Sequence, residues 1–190
     1  AAGKPVTRLG FIAALGLDDA TRQQVFRHEQ TLAAPKADRT QLLEAVPANL
    51  EPIFCVYPDE QGSIQSYLEQ LTQKTVATAQ ARINGEQVEL WVITSEADIQ
   101  PIVQHLGKVS VLIADGHHRF EVGFANRARY STLMTYFVSI KDPALVVRPI
   151  HRIVTFPVPP DLSQLERLCE IVPSNQESEA FGWLQTQKDL

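Results

Sequence analysis

Seven consecutive residues, Asp115-Gly116-His117-His118-Arg119-Phe120-Glu121, carry two carboxylates, two imidazoles, one guanidinium and a glycine. Before them runs an apolar, β-branched stretch, Val109-Ser110-Val111-Leu112-Ile113-Ala114, which reads as a buried strand. After them Phe120, Phe124 and Arg127 recur at helical spacing and read as a helix packed on that strand. A strand that stops at Asp-Gly and opens a helix leaves backbone N–H groups at the turn without partners, and the helix dipole adds partial positive charge there. His117, His118 and Arg119 crowd the same end with donors, and Gly116 lets a ligand approach the backbone closely. This is the local chemistry of a phosphate or other anion site. Two roles stay open for Asp115: a catalytic base or Mg²⁺ ligand, or a helix cap. Arg119 either grips an anion or pairs with Asp115 or Glu121.

Other candidates lie upstream and downstream. His28-Glu29 is a pair in which Glu29 either orients His28 or acts as a base, with a solvated turn as the alternative. Lys36, Asp38 and Arg39 follow Pro35, a residue suited to a first helical turn, and cations there oppose the helix dipole. That placement is odd for stability alone and suits a bound anion. His151-Arg152 is a further basic pair that either completes the pocket or is an exposed polar alternation. His105 falls late in an expected helix and reads as a partner for its C-terminal dipole. Five histidines are present, but no His-Glu-x-x-His and no His pair at helical spacing, so no transition-metal site is expected. Mg²⁺ held through phosphates leaves little motif of its own.

The elements that must position these residues follow from pattern. Val6 to Leu17 reads as a strand, with Asp18-Asp19 as a turn. The polar block Arg27-His28-Glu29-Gln30-Thr31 has no amphipathic period. Leu42, Leu43 and Val46 give a helix face that Pro47 ends. Pro52 to Tyr57 is a compact strand. Ser63 is the expected cap of a helix from Ile64 to about Lys74. Asn84-Gly85 joins two strands, Val76 to Ile83 and Val88 to Thr94, as a hairpin. Ser95 to Asp98 opens a short helix that ends near Gly107. Ser131 to Ile140 is strand-like, and so is Val146 to Phe156, where Pro149 implies an edge or a bulge. Helices are expected over Leu162 to Glu170 and Glu179 to Gln187. The fold class is α+β, a mixed sheet with crossing helices. The expected organisation is one domain over residues 1–156, then a linker and the start of a helical region over 157–190.

Composition narrows the class. The chain has 190 residues, 44% hydrophobic and 21% charged, with a formal net charge of −5. Those are the proportions of a soluble globular domain. The acidic balance weighs against a nucleic-acid partner and against a charged membrane surface, though one local basic pocket remains compatible. No apolar run reaches the ~20 residues of a membrane span, and no signal-peptide pattern is present. The first residue is Ala rather than Met, so a fragment of a longer protein is expected. Two cysteines, Cys55 and Cys169, rule out a disulfide framework and a cysteine zinc site. A cytoplasmic setting is the natural expectation. The oligomeric state is not readable from the sequence.

Four blocks, in order, resemble the bacterial and archaeal family called domain of unknown function 1015. They are Arg27 to Thr31 with Pro35 to Arg39, Asn49 to Phe54, Ile113 to Glu121, and Pro149 to Val154. The Asp-Gly-His-His-Arg block is also similar to the phosphate-binding turn of the wider ParB/sulfiredoxin superfamily, which includes partition clamps, sulfiredoxin and a kinase of free serine. Sulfiredoxin uses a reactive Cys within this turn, where the present chain has His117. The resemblance implies a ParB/sulfiredoxin-like strand-turn-helix and ADP or ATP as ligand, with Mg²⁺ optional. It implies a phosphotransferase acting on a small, serine-like hydroxyl metabolite. On that reading Asp115, Glu29 and His118 are the catalytic candidates. Gly116, His117, His118, Arg119, Lys36, Arg39, His28 and Arg152 are the candidates for holding the nucleotide. The rival expectations are a nucleotide-binding regulatory module without turnover and a ParB-like nuclease-related domain.

Overall fold

The computed structural model describes residues 6–147 without a break and, beyond them, 157–158, 161–163, 165–172, 174, 176 and 179. The chain divides into two compact units, Ala1–Val146 and Val147–Leu190. The first unit carries every regular element described here.

Its elements are β1 (Gly10–Gly16), α1 (Asp19–Gln24), β2 (Val25–Phe26), α2 (Ala33–Ala45), β3 (Ile53–Tyr57) and α3 (Ser63–Lys74). There follow β4 (Ala79–Ile83), β5 (Glu86–Leu90), α4 (Glu96–Leu106), β6 (Val111–Asp115), α5 (His117–Ala125) and β7 (Thr132–Ser139). Five strands form one sheet in the order β1-β7-β3-β6-β2. β1 and β7 are antiparallel, β7 and β3 parallel, β3 and β6 antiparallel, and β6 and β2 parallel. The class is therefore α+β with a mixed sheet, as composition and pattern implied. Ile53, Cys55, Tyr57, Ile113, Phe120, Phe124 and Phe137 form the centre of the core, with Ile64 and Leu68 contributed by α3. Burial pushes the Cys55 thiol up to about 12, so it behaves as a small apolar side chain.

β4 and β5 pair with each other, apart from the main sheet, through Asn84 at φ 51° and Gly85 at φ 87°. Those two left-handed residues make the two-residue turn that Asn-Gly favours. β7, β3 and α4 fall where the sequence pattern puts them; the hairpin turns at Asn84-Gly85 as expected, but its strands are Ala79–Ile83 and Glu86–Leu90 rather than Val76 to Ile83 and Val88 to Thr94, because a two-residue turn starts the return strand directly after Gly85.

Elsewhere the structure departs from the pattern. Asp18-Asp19 starts a helix rather than a turn: the Asp18 carboxylate accepts from the Thr21 backbone N–H at 2.7 Å and caps α1. Ser63 does not cap α3. That role belongs to Asp59, four residues earlier, whose carboxylate accepts from the backbone N–H groups of Ser63, Ile64 and Gln65 at 2.8, 3.0 and 2.9 Å. Gly62, at φ 64°, turns the chain so that Asp59 can reach the helix end. α2 begins at Ala33, two residues before Pro35, so Asp38 and Arg39 lie beyond its first turn. The described residues of 162–170 make turns and not a helix. The strand expected over Val146 to Phe156 lies almost wholly outside the described residues, and Val146 and Val147 are not strand. The helix expected over Glu179 to Gln187 also lies outside them, apart from Glu179.

Asp59 is 1% exposed, so its loss strands three amide donors at a buried helix end. Asp59→Ala is expected to destabilise the domain by about 2 kcal/mol, whereas Ser63→Ala is expected to stay within ~0.5 kcal/mol of the parent. Urea denaturation of the two variants measures the difference.

Candidate functional site

β6 ends at Asp115, and α5 begins at His117. Between them Gly116 adopts φ 96° and ψ 27°. A Cβ there would lie 2.8 Å from Cγ2 and 3.0 Å from Cβ of Ile53 on β3. Both the positive φ and the contact demand glycine. No side chain caps α5. The residues of its first turn line a polar cavity of about 270 Å³, together with Glu29, Pro35, Arg39 and Asp115.

The three side chains after Gly116 have separate partners. His117 is 2% exposed. Its Nδ1 lies 3.3 Å from Glu29 Oε2, and its Nε2 lies 3.2 Å from His28 Nδ1 and 3.4 Å from the His28 backbone N. The two imidazole rings meet edge to face with centroids 4.4 Å apart. A carboxylate can only accept, and the His28 backbone N–H can only donate. The consistent tautomer therefore carries hydrogen on His117 Nδ1 and a lone pair on Nε2. Burial, and then the neighbouring His28, lower the pKa of His117, so the ring is neutral at neutral pH. His118 Nε2 accepts from the Leu32 backbone N–H at 3.1 Å and ties the start of α2 to α5. Arg119 donates to the Pro52 carbonyl, lies 2.7 Å from Asp115 Oδ2 and lies 3.3 Å from Glu51 Oε2.

Two of these side chains have partners in the structure. The Asp115 carboxylate is paired with Arg119 and does not cap the helix. Arg119 pairs with Asp115 and Glu51, not with Glu121. Glu121 instead receives Arg27, Lys36 at 3.1 Å and the Thr31 hydroxyl at 2.6 Å. The Thr31 hydrogen bond, assisted by Lys36 and Arg27, lowers the Glu121 pKa against its partial burial. His117 and Glu121 are four residues apart, so one face of α5 receives the whole 27–31 loop. Glu121 and Thr31 were not candidates from sequence. The available signal was the i,i+4 spacing of His117 and Glu121 beside a polar block that lacked any period of its own.

Arg39 stands apart. It is half-buried, and among the described residues it makes no ion pair. It lines the polar cavity and also a second cavity, of about 360 Å³, whose walls are mainly apolar. Glu29, Arg39, Asp115, Gly116, His117, His118 and Arg119 thus meet at one place. His28 sits behind His117, and Lys36 is engaged by Glu121. His151 and Arg152 lie outside the described residues. His105 Nε2–H, in the last turn of α4, donates to the Pro58 carbonyl at 3.1 Å. Among the described residues no group of three or more His, Cys, Asp or Glu side chains is arranged to hold a metal ion. Nor is any described helix long and apolar enough to cross a membrane.

A family model described as a protein of unknown function, DUF1015, matches residues 2–189. The chain belongs to this family. No curated protein and no solved structure matches the chain.

Gly116→Ala is expected to cost more than ~2 kcal/mol, since the new methyl must displace Ile53 while the backbone holds a left-handed conformation; a thermal melt checks this. His117 sets a pH dependence. Its native pKa lies below the ordinary 6.5, so the unfolded chain binds the proton more readily. Its contribution to stability is complete above 6.5 and is lost as pH falls toward the lowered native value. Glu121 adds a second loss, beginning below its ordinary value of 4.5. Melting temperature measured across this range should fall in the parent and fall less between pH 6.5 and 5 in His117→Asn, which has no ionisable group to protonate.

Proposed function

We propose that this chain is a nucleotide-dependent phosphotransferase acting on a small, serine-like hydroxyl metabolite, built on a ParB/sulfiredoxin-like strand-turn-helix. The observation that carries the reading is Arg39. Arg39 is partly exposed and makes no ion pair among the described residues, so an anion entering the cavity it lines would meet a cation that no described carboxylate already holds. The cavity it lines is floored by the uncapped N-terminus of α5 and by a glycine that lets the backbone come close. Phosphate oxygens fit that set of donors: fixed amides on one side, a planar fork of N–H groups on the other.

The bound nucleotide would supply the phosphoryl group. The chain's part is to hold its charge and to handle one proton. Arg39 and the first-turn amides of α5 neutralise the phosphates, and Mg²⁺ would be held through those phosphates. Glu29 lines the same cavity and is the base that takes the acceptor's hydroxyl proton. The neutral His117 holds Glu29 in place through Nδ1–H, and His28 keeps His117 in that tautomer. His118 and Arg119 brace the turn from α2 and from the start of β3. Asp115 is oriented by Arg119 and remains a second carboxylate at the cavity. The acidic net charge weighs against nucleic acid as the acceptor, and a cytoplasmic setting suits free nucleotide.

The regulatory alternative, binding without turnover, draws on the engagement of Asp115 by Arg119. Turnover separates the two. ADP and ATP titrations, followed by a coupled assay with free serine and related hydroxy metabolites, are run on the full-length protein. Arg39→Ala should weaken nucleotide binding by about 10–100-fold, the equivalent of one charge-assisted hydrogen bond or two, with little change in the ligand-free melting temperature. Glu29→Gln should bind nucleotide and lose turnover. Nucleotide affinity without turnover on any hydroxyl acceptor would favour the regulatory module, and no nucleotide affinity at all would overturn both.

A further inference from the structure

We infer that the apolar cavity next to the polar one seats the base of the nucleotide, a planar purine ring. This rests on the proposed function and adds where the rest of the ligand lies. The cavity measures about 360 Å³, and Leu42, Leu43, Leu50, Val122 and Leu133 give it apolar walls. A nucleotide has two chemically distinct ends, one carrying several charges and one flat and mostly apolar. Here a polar cavity and an apolar cavity share two lining residues, Arg39 and Arg119. The ligand that satisfies both at once has its phosphates on one side of those guanidinium groups and its ring on the other. A serine-sized acceptor has no use for leucine walls, which leaves the donor's base as the occupant.

One more feature points the same way. Tyr130 lines the apolar cavity, and its hydroxyl is buried with no hydrogen-bond partner among the described residues. The Arg129 guanidinium lies over the Tyr130 ring at 5.2 Å and fixes its plane. Because that hydroxyl is enclosed, it is the rest of Tyr130 that lines the cavity, an aromatic surface on which a planar ring can lie. Leu42 and Leu50 remain exposed at the rim, which is apolar surface that a bound ring would cover.

The test compares ADP, adenosine and inorganic pyrophosphate on the full-length protein, by calorimetric titration. The parent should bind ADP about tenfold or more tightly than pyrophosphate, the gain expected when a ring is added to an apolar pocket. Leu43→Trp, which fills the cavity, should bring ADP down to the level of pyrophosphate and leave pyrophosphate unchanged. Leu50→Lys, at an exposed rim position, should act in the same direction with little risk to folding. Equal affinity for ADP and pyrophosphate in the parent would overturn the inference while leaving the phosphate site standing. So would cavity variants that lower both ligands alike, or that lower neither. If neither ADP nor pyrophosphate binds the parent, the proposed function falls and the inference falls with it.

Discussion

The close approach of Gly116 to Ile53 is the constraint on which the site depends. Here a single residue in left-handed conformation carries strand β6 into helix α5, and that residue is pressed against the neighbouring strand. A Cβ at this position would collide with the Ile53 side chain, so glycine is required where β6 hands over to α5. The turn so formed sets Gly116 to Arg119 along the polar cavity. It also places Asp115 and Arg119 one helical turn apart, so they pair across the glycine. Arg119 then reaches the Pro52 carbonyl and joins the start of β3 to α5. Sheet, turn and helix are locked by one small residue and one long one.

The second organising contact is electrostatic. The 27–31 loop has no apolar face, so packing alone cannot hold it. It is held instead by two α5 side chains at i,i+4 spacing. His117 receives His28 and Glu29; Glu121 receives Arg27, Thr31 and, from α2, Lys36. This arrangement consumes nearly every charge near the turn. His117 is neutral, His118 accepts from the α2 start, and Lys36 and Arg119 each face carboxylates. Arg39 is left without an ion pair among the described residues, between a polar cavity and an apolar one. The proposed phosphate role is therefore given to Arg39 on α2, while the guanidinium inside the glycine turn is held by Asp115, Glu51 and the Pro52 carbonyl.

Much of the fold was legible because local chemistry and tertiary structure agree. Asn84-Gly85 makes its turn from residues that tolerate positive φ, whatever surrounds them. β7 and β3 are short apolar runs bounded by turn residues. The errors have a common cause. At α3 the adjacent Ser63 looked like the cap, but Gly62 in a left-handed conformation brings Asp59 back to the helix end. At α1 two consecutive aspartates read as a turn, yet the first caps and the second begins a helix. Capping depends on the path of the two or three residues before the helix, and periodicity carries no information about that path.

The sequence by itself determined the strand-Gly-helix turn and the mixed α+β class, while the 27–39 block was joined to the 115–121 block by family resemblance and by the positive charge a phosphate site needs. Residue type alone confers the first two properties: glycine for positive φ and apolar periodicity for faces. Only the tertiary structure decided which polar group meets which. From sequence, Arg119, His117, His118, Lys36 and Arg39 were equal candidates for an anion. Their difference lies in which carboxylates, carbonyls and amides the fold carries within reach, and those come from loops and strands distant in the chain. Pairing is a through-space property of a few ångströms, so no local pattern could distinguish the engaged cations from Arg39, which makes no ion pair among the described residues.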